Sequence, residues 1–156
     1  MKRKIKALVV LLAILWIISP WVILIMNKPE PKERLRPDSN ASEWEGKQDL
    51  DKLKTDVKQI AIPGIESLVF TADQKEQKVN FYNPKSNDCL MVFVLFVEDE
   101  EVWRSGYCAP GNGYYNIELS KPLEEGEYNA RLLHECFKED GVALNSANVR
   151  FKLYVQ

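Results

Sequence analysis

Residues 89–97 read CLMVFVLFV, nine apolar residues in a row. The run is far too short to cross a bilayer, which takes about 20 residues, so it is read as a β-strand. A strand of a two-layer sandwich normally alternates, with one face in the core and one in water. This one is apolar on both. It therefore calls for a central place in a sheet and for something that covers its second face.

The sequence around it has the cadence of an all-β domain. From residue 60 onward, short β-like runs are split by turn residues. Strands are expected at 65–70, 78–82, 89–97, 102–107, 114–119, 127–137 and 148–155. The breaks between them include Asn83-Pro84, Glu98 to Glu101, Pro110-Gly111, Glu125-Gly126 and Asp140-Gly141. About seven strands with turns at this spacing predict an immunoglobulin-like β-sandwich. Leu123-x-x-Gly126-x-Tyr128 fits the corner at which such domains place a tyrosine. The tryptophan on the third strand and the cysteine on the second strand of antibody domains are both missing.

Residues 7–26 form an uncharged apolar run of membrane-spanning length with no small-residue cleavage site at its end. They predict a transmembrane signal anchor, with the basic end 1–6 (Lys2, Arg3, Lys4, Lys6) cytoplasmic and the rest of the chain extracellular. Residues 27–59 read as a charged, proline-containing linker. Within it, Ser42-Glu43-Trp44-Glu45 fits a capping box, and Leu50, Leu53 and Val57 follow at helical spacing, so a short helix is expected over 43–58. The domain proper is placed at 60–156. It carries 9 Lys+Arg against 15 Asp+Glu, a balance that argues against nucleic acid as a partner.

Several of these features occur together: Ile62-Pro63-Gly64, Asn83-Pro84, Asn87-x-Cys89, Pro110-Gly111, Leu123-x-x-Gly126-x-Tyr128, Glu135-Cys136 and Leu144-Asn145-x-Ala147. In that order they resemble a group of small, membrane-anchored, exported proteins of Gram-positive bacteria, often carried on mobile elements. The resemblance covers 60–156 and the anchor. It implies an exported β-sandwich and no particular activity. Cys108 stands where that pattern has an aliphatic residue.

His134, the chain's single histidine, lies in His134-Glu135-Cys136. On a strand, His134 and Cys136 share a face, but their backbones stand roughly 6.6 Å apart. No glycine-rich oxyanion loop lies nearby, so no catalytic residue is assigned and the chain is not read as an enzyme. Strand order gathers Cys89, Cys108, His134 and Cys136 at one end of one sheet. That set would suit zinc, yet there is no C-x-x-C pair and an exported chain meets oxidising conditions. A disulfide between Cys89 and Cys136 is expected instead, with Cys108 either a buried small hydrophobe or the alternative partner of Cys89. The acidic turn Glu98 to Glu101 lacks the spacing of a calcium loop. No metal and no cofactor are expected.

If Tyr128 points inward, so do Ala130, Leu132, His134 and Cys136. The disulfide then places Cys89, Met91, Phe93, Leu95 and Val97 in the core. Leu90, Val92, Val94 and Phe96 face outward, joined by Trp103 and Tyr107 from the next strand and by Leu133 and Phe137. Such a face would expose several hundred Å² of apolar surface, as much as the largest patch on a typical monomer. The expected cover is a protein partner or self-association, with the 43–58 helix as the other candidate. The function expected is thus a membrane-anchored extracellular protein-interaction module; the alternative is a structural or accessory subunit of a cell-envelope assembly such as a conjugation or secretion apparatus.

Overall fold

A strand that is apolar on both sides is stable in the interior of a sheet, and residues 90–97 lie in one: their strand has a hydrogen-bonded neighbour on either side. The computed structural model describes residues 34–46 and 60–156. The basic end 1–6, the anchor at 7–26 and linker positions 27–33 and 47–59 lie outside the described residues, as does most of the helix expected at 43–58. Among the described residues all regular structure is β. The strands are β1 (Ser42–Glu43), β2 (Ser67–Phe70), β3 (Glu76–Tyr82), β4 (Leu90–Val97), β5 (Glu100–Arg104), β6 (Asn112–Glu118), β7 (Gly126–Phe137) and β8 (Ala143–Val155). Each of the seven strands read from the sequence is present. β1 was not expected.

The strands form two sheets, ordered β1-β6-β3 and β2-β8-β7-β4-β5. All neighbours are antiparallel except β2 and β8, which run parallel. The core lies between the sheets. β3 and β6 contribute Val79, Phe81, Tyr114 and Ile117; the larger sheet contributes Met91, Phe93, Leu95, Leu132, Phe151, Leu153 and others. β3 shows the physics simply: Gln77, Val79 and Phe81 are buried, while Glu76, Lys78 and Asn80 are exposed. The expected inward set of β4 and β7 is correct, since Cys89, Met91, Phe93, Leu95, Val97, Ala130, Leu132, His134 and Cys136 are all buried.

Register is fixed at two corners. Glu98 and Asp99 both have positive φ, 48° and 67°, the backbone of a two-residue hairpin whose twist matches its strands. A bulge between Leu95 and Phe96 follows. It turns both Val102 and Trp103 toward the core and leaves Arg104 exposed, whereas strict alternation puts Trp103 on the outward face. At the other corner, the Tyr128 hydroxyl donates to the Glu124 carbonyl at 3.0 Å. Asn83, fully buried, bonds the carbonyls of Cys89 and Cys108 at 2.8 and 2.9 Å and accepts from Asn87 at 2.8 Å. This network accounts for the Asn83 and Asn87 motifs seen in the sequence.

Residues 34–46, expected as linker, form a strap that is hydrogen-bonded to the smaller sheet and to the segments that follow β5 and β7. The Leu35 and Asp38 amides donate to the carbonyls of Glu139 and Tyr107 at 3.0 and 2.7 Å. After a turn at Asp38–Ala41, β1 pairs with Asn112 and Gly113 of β6. Trp44 then stacks on Tyr82 with centroids 3.8 Å apart, and its indole donates to Asn80 at 2.7 Å. Because Ser42 and Glu43 are extended and paired, the capping box at Ser42 opens no helix there. A β-ladder on one side and an aromatic stack on the other outweigh the local capping preference.

Candidate functional site

His134 is part of the core. It stands edge-on to Phe93 at 5.3 Å and is 1% exposed, and its Nδ1 has no hydrogen-bond partner. Burial drives its pKa down to about 4, so the ring is neutral at pH 7. Met91 pairs with Cys136 on one side and with Cys108 on the other, which brings the three cysteines to one end of the sheet as the strand order implied. All three are buried and free. Burial pushes the Cys108 and Cys136 thiols up to about 12 and raises Cys89 as well, so none supplies a thiolate nucleophile near neutral pH. The expected Cys89–Cys136 disulfide is absent. The ladder sets Met91 opposite Cys136 and Cys89 just beyond the last pair, Leu90 with Phe137, so Cys89 and Cys136 are diagonal neighbours on one face and meet as free thiols in hydrogen-bond contact. Among the described residues no cluster of three or more His, Cys, Asp or Glu side chains is placed to hold a metal ion. The acidic turn is occupied with its own partners: Glu98 accepts from the Asn129 amide at 2.6 Å, Lys121 meets Glu100 at 2.6 Å, and Arg104 meets Glu101 at 3.1 Å.

The outward face of β4 differs from expectation at its centre. Leu90, Val92 and Val94 are buried, while Phe96, Tyr107, Leu133 and Phe137 are half-buried. Trp103 has left this face for the core, where it packs edge-on against Tyr114 at 5.3 Å. The register explains part of the cover. Arg104 and Leu133 flank Val94, and Glu135 lies opposite Val92. The Arg104–Glu135 ion pair, 2.8 Å long, thus spans β4. Arg131 lies 3.5 Å above the Phe96 ring, and Tyr107 meets Phe137 edge-on at 5.6 Å. The stems of these arginines are hydrocarbon and cover apolar neighbours while their charged ends stay wet. Phe96, Leu133 and Phe137 keep partial exposure; the broad bare patch is not there.

The feature that the sequence did not disclose lies where the strap meets the two sheets. Tyr114, on β6, is buried but for 4% of its surface. Its hydroxyl donates to Asp38 Oδ2 at 2.8 Å. The same oxygen accepts from the Gly106 amide at 3.1 Å, and Oδ1 accepts from Asn40 at 2.9 Å. Burial raises the Asp38 carboxyl, but these three hydrogen bonds outweigh it and hold the group below its ordinary value. Burial, and then the neighbouring carboxylate, push the Tyr114 phenol up. Gly106 is the socket: a Cβ there would stand 2.8 Å from the Asp38 side chain. Beyond this hub a groove of about 570 Å³ runs between β5 and β6, with Trp103, Tyr114, Ile117, Asn116 and Arg104 among its lining. A tryptophan in a charged, proline-rich stretch was the available signal for the strap. Nothing in the sequence pairs Asp38 with Tyr114 across 76 positions.

No protein-family profile, no curated protein and no solved structure matches the chain.

Proposed function

We propose that the chain is a membrane-anchored extracellular protein-interaction module, an immunoglobulin-like sandwich with no catalytic role. The immunoglobulin-like assignment is supported by the order β8-β7-β4-β5 facing β6-β3, which corresponds to strands G-F-C-C′ facing E-B, and by the Tyr128 corner bond. In such a sandwich the strand E is flanked on both sides. Here the second flank of β6 is reduced to β1, paired at Asn112 and Gly113 only.

That shortened flank, with the groove beside it, is the observation that carries the proposal: a binding surface at an incompletely paired sheet edge. The apolar run 7–26 and the basic end 1–6 support anchoring in a lipid bilayer with the N-terminus cytoplasmic. A protein partner is favoured over nucleic acid by the acidic domain.

The test is co-purification of the full chain from membranes in detergent, repeated with the soluble domain 34–156. A partner held by both supports a module that binds through its domain. A partner lost with the anchor, while the domain stays folded, supports an accessory subunit gripped within the membrane. Protease added to intact protoplasts is expected to remove the domain, and protection would contradict the topology.

A further inference from the structure

We propose that the groove between β5 and β6 receives an extended polypeptide segment of a protein partner, added as a strand to the free edge of β6 at Asn116 and Glu118. This rests on the interaction-module proposal and specifies how the module binds.

The geometry begins with the ladder between β3 and β6. Leu119 donates to the Lys75 carbonyl at 2.9 Å, and Ile117 lies opposite Gln77. In an antiparallel pair, bonded and non-bonded positions alternate. Ile117 and Leu119 therefore spend their backbone groups on β3, and the N–H and C=O of Asn116 and Glu118 point off the other edge. β1 occupies that edge only at Asn112 and Gly113, because the turn at Asp38–Ala41 carries the strap away toward Tyr107. Among the described residues no backbone group pairs with Asn116 or Glu118 on this side.

The edge opens into the groove, not onto bulk surface. One end is closed by β1 and the Asp38 hub. The other is closed where the Ser120 amide donates to the Val102 carbonyl at 2.8 Å, bringing the chain after β6 against β5. Between these stops lie four residues of β6, 115–118, a length of roughly 13 Å at strand rise. The lining is mixed: Trp103, half-buried, is its main apolar element, and Asp38, Asn40, Arg104, Asn116 and Glu118 make much of the rest polar. An extended peptide suits all three features. Its backbone satisfies the free edge, its alternate side chains meet Trp103 and the polar groups around it, and it is narrow enough to lie between the two stops. A folded second copy would have to bring its own sheet edge to about 4.8 Å from β6, past β5, β1 and the strap.

The test uses the full chain in detergent, a displayed library of peptides about ten residues long, and amide exchange. Glu118→Pro removes an N–H that the fold does not use, at an edge position where proline is tolerated. The expected result is selection of peptides that slow exchange at Asn116 and Glu118, and that bind Glu118→Pro at least about tenfold more weakly, the worth of roughly one backbone hydrogen bond. Exchange at the Ile117 and Leu119 amides in the peptide-free variant reports whether its ladder is intact. If that ladder fails, Asn116→Pro, with the same expectation, takes its place. Peptides that bind both proteins equally, or a library that yields no peptide slowing these amides, would overturn the proposal. So would protection at Asn116 and Glu118 that rises with protein concentration without peptide, which would assign the edge to a second copy. Co-purification of a partner unaffected by Glu118→Pro would leave the module intact and place its binding surface elsewhere.

Discussion

Replacing Asp38 with alanine removes the carboxylate that ties the strap to β6 and to Gly106. The magnitude follows from what each of its partners is left with. The amides of Gly106 and Asn40 are in exposed contacts, so water replaces the lost acceptor at little cost. The Tyr114 hydroxyl is different: its residue is 4% exposed, its other neighbour, the Ser105 hydroxyl, is already bonded to the Phe93 amide and the Gly106 carbonyl, and a buried donor without an acceptor costs about 1–3 kcal/mol. The substitution is therefore expected to destabilise by about 2 kcal/mol, most of it carried by one hydroxyl. Tyr114→Phe removes that hydroxyl and should cost about 1 kcal/mol. In the double variant there is no orphan, so its cost should fall short of the sum by about 1 kcal/mol or more. The assay is denaturant unfolding of the four proteins followed by Trp fluorescence. Strictly additive losses would show that Asp38 and Tyr114 do not communicate, and would refute the hub.

Three further outcomes are expected. His134 is held neutral in the fold at about 4 against an ordinary 6.5, so the unfolded chain binds a proton first as pH falls. Stability is then lost from about pH 6.5 down to about pH 4, by up to roughly 3 kcal/mol, and His134→Leu should flatten that slope in unfolding curves taken across this range. Tyr128→Phe should cost about 1 kcal/mol if the bond to Glu124 holds the corner; no loss by denaturant titration would count against the corner. At Gly113 a Cβ would lie 2.6 Å from the Phe81 carbonyl, so Gly113→Ala should lower the unfolding midpoint by the equivalent of about 1–3 kcal/mol.

Much of the sheet structure was legible because it follows from local pattern. Alternation in β3 and the apolar run of β4 announced their places, and the inward set of β7 followed from Tyr128. The second face of β4 is less exposed than its apolar run predicts, in part because Arg104 and Arg131 lie across it. Trp103 faces the core and not the outward side because Val102 bulges between the rungs Leu95–Trp103 and Phe96–Glu101, and an arginine at the inward parity, Arg104, is the sequence sign of such a bulge. Strand order brings Cys89 beside Cys136 as expected, and in the structure the pair stands as two free thiols. The strap was illegible for a different reason. Its attachments are single contacts over long separations, Leu35 to Glu139, Asp38 to Tyr114 and Trp44 to Asn80, and charged, proline-rich composition gives no hint of them.

The claim on which the groove and its free edge both depend is that residues 34–46 belong to the folded domain. Residue-resolved amide hydrogen exchange on the full chain tests it most directly. The Asp38 and Trp44 amides donate to Tyr107 and Gly111 carbonyls at 2.7 and 2.9 Å and are expected to exchange far more slowly than free-chain amides. Exchange at both positions at the rate of an unstructured peptide would contradict the docked strap.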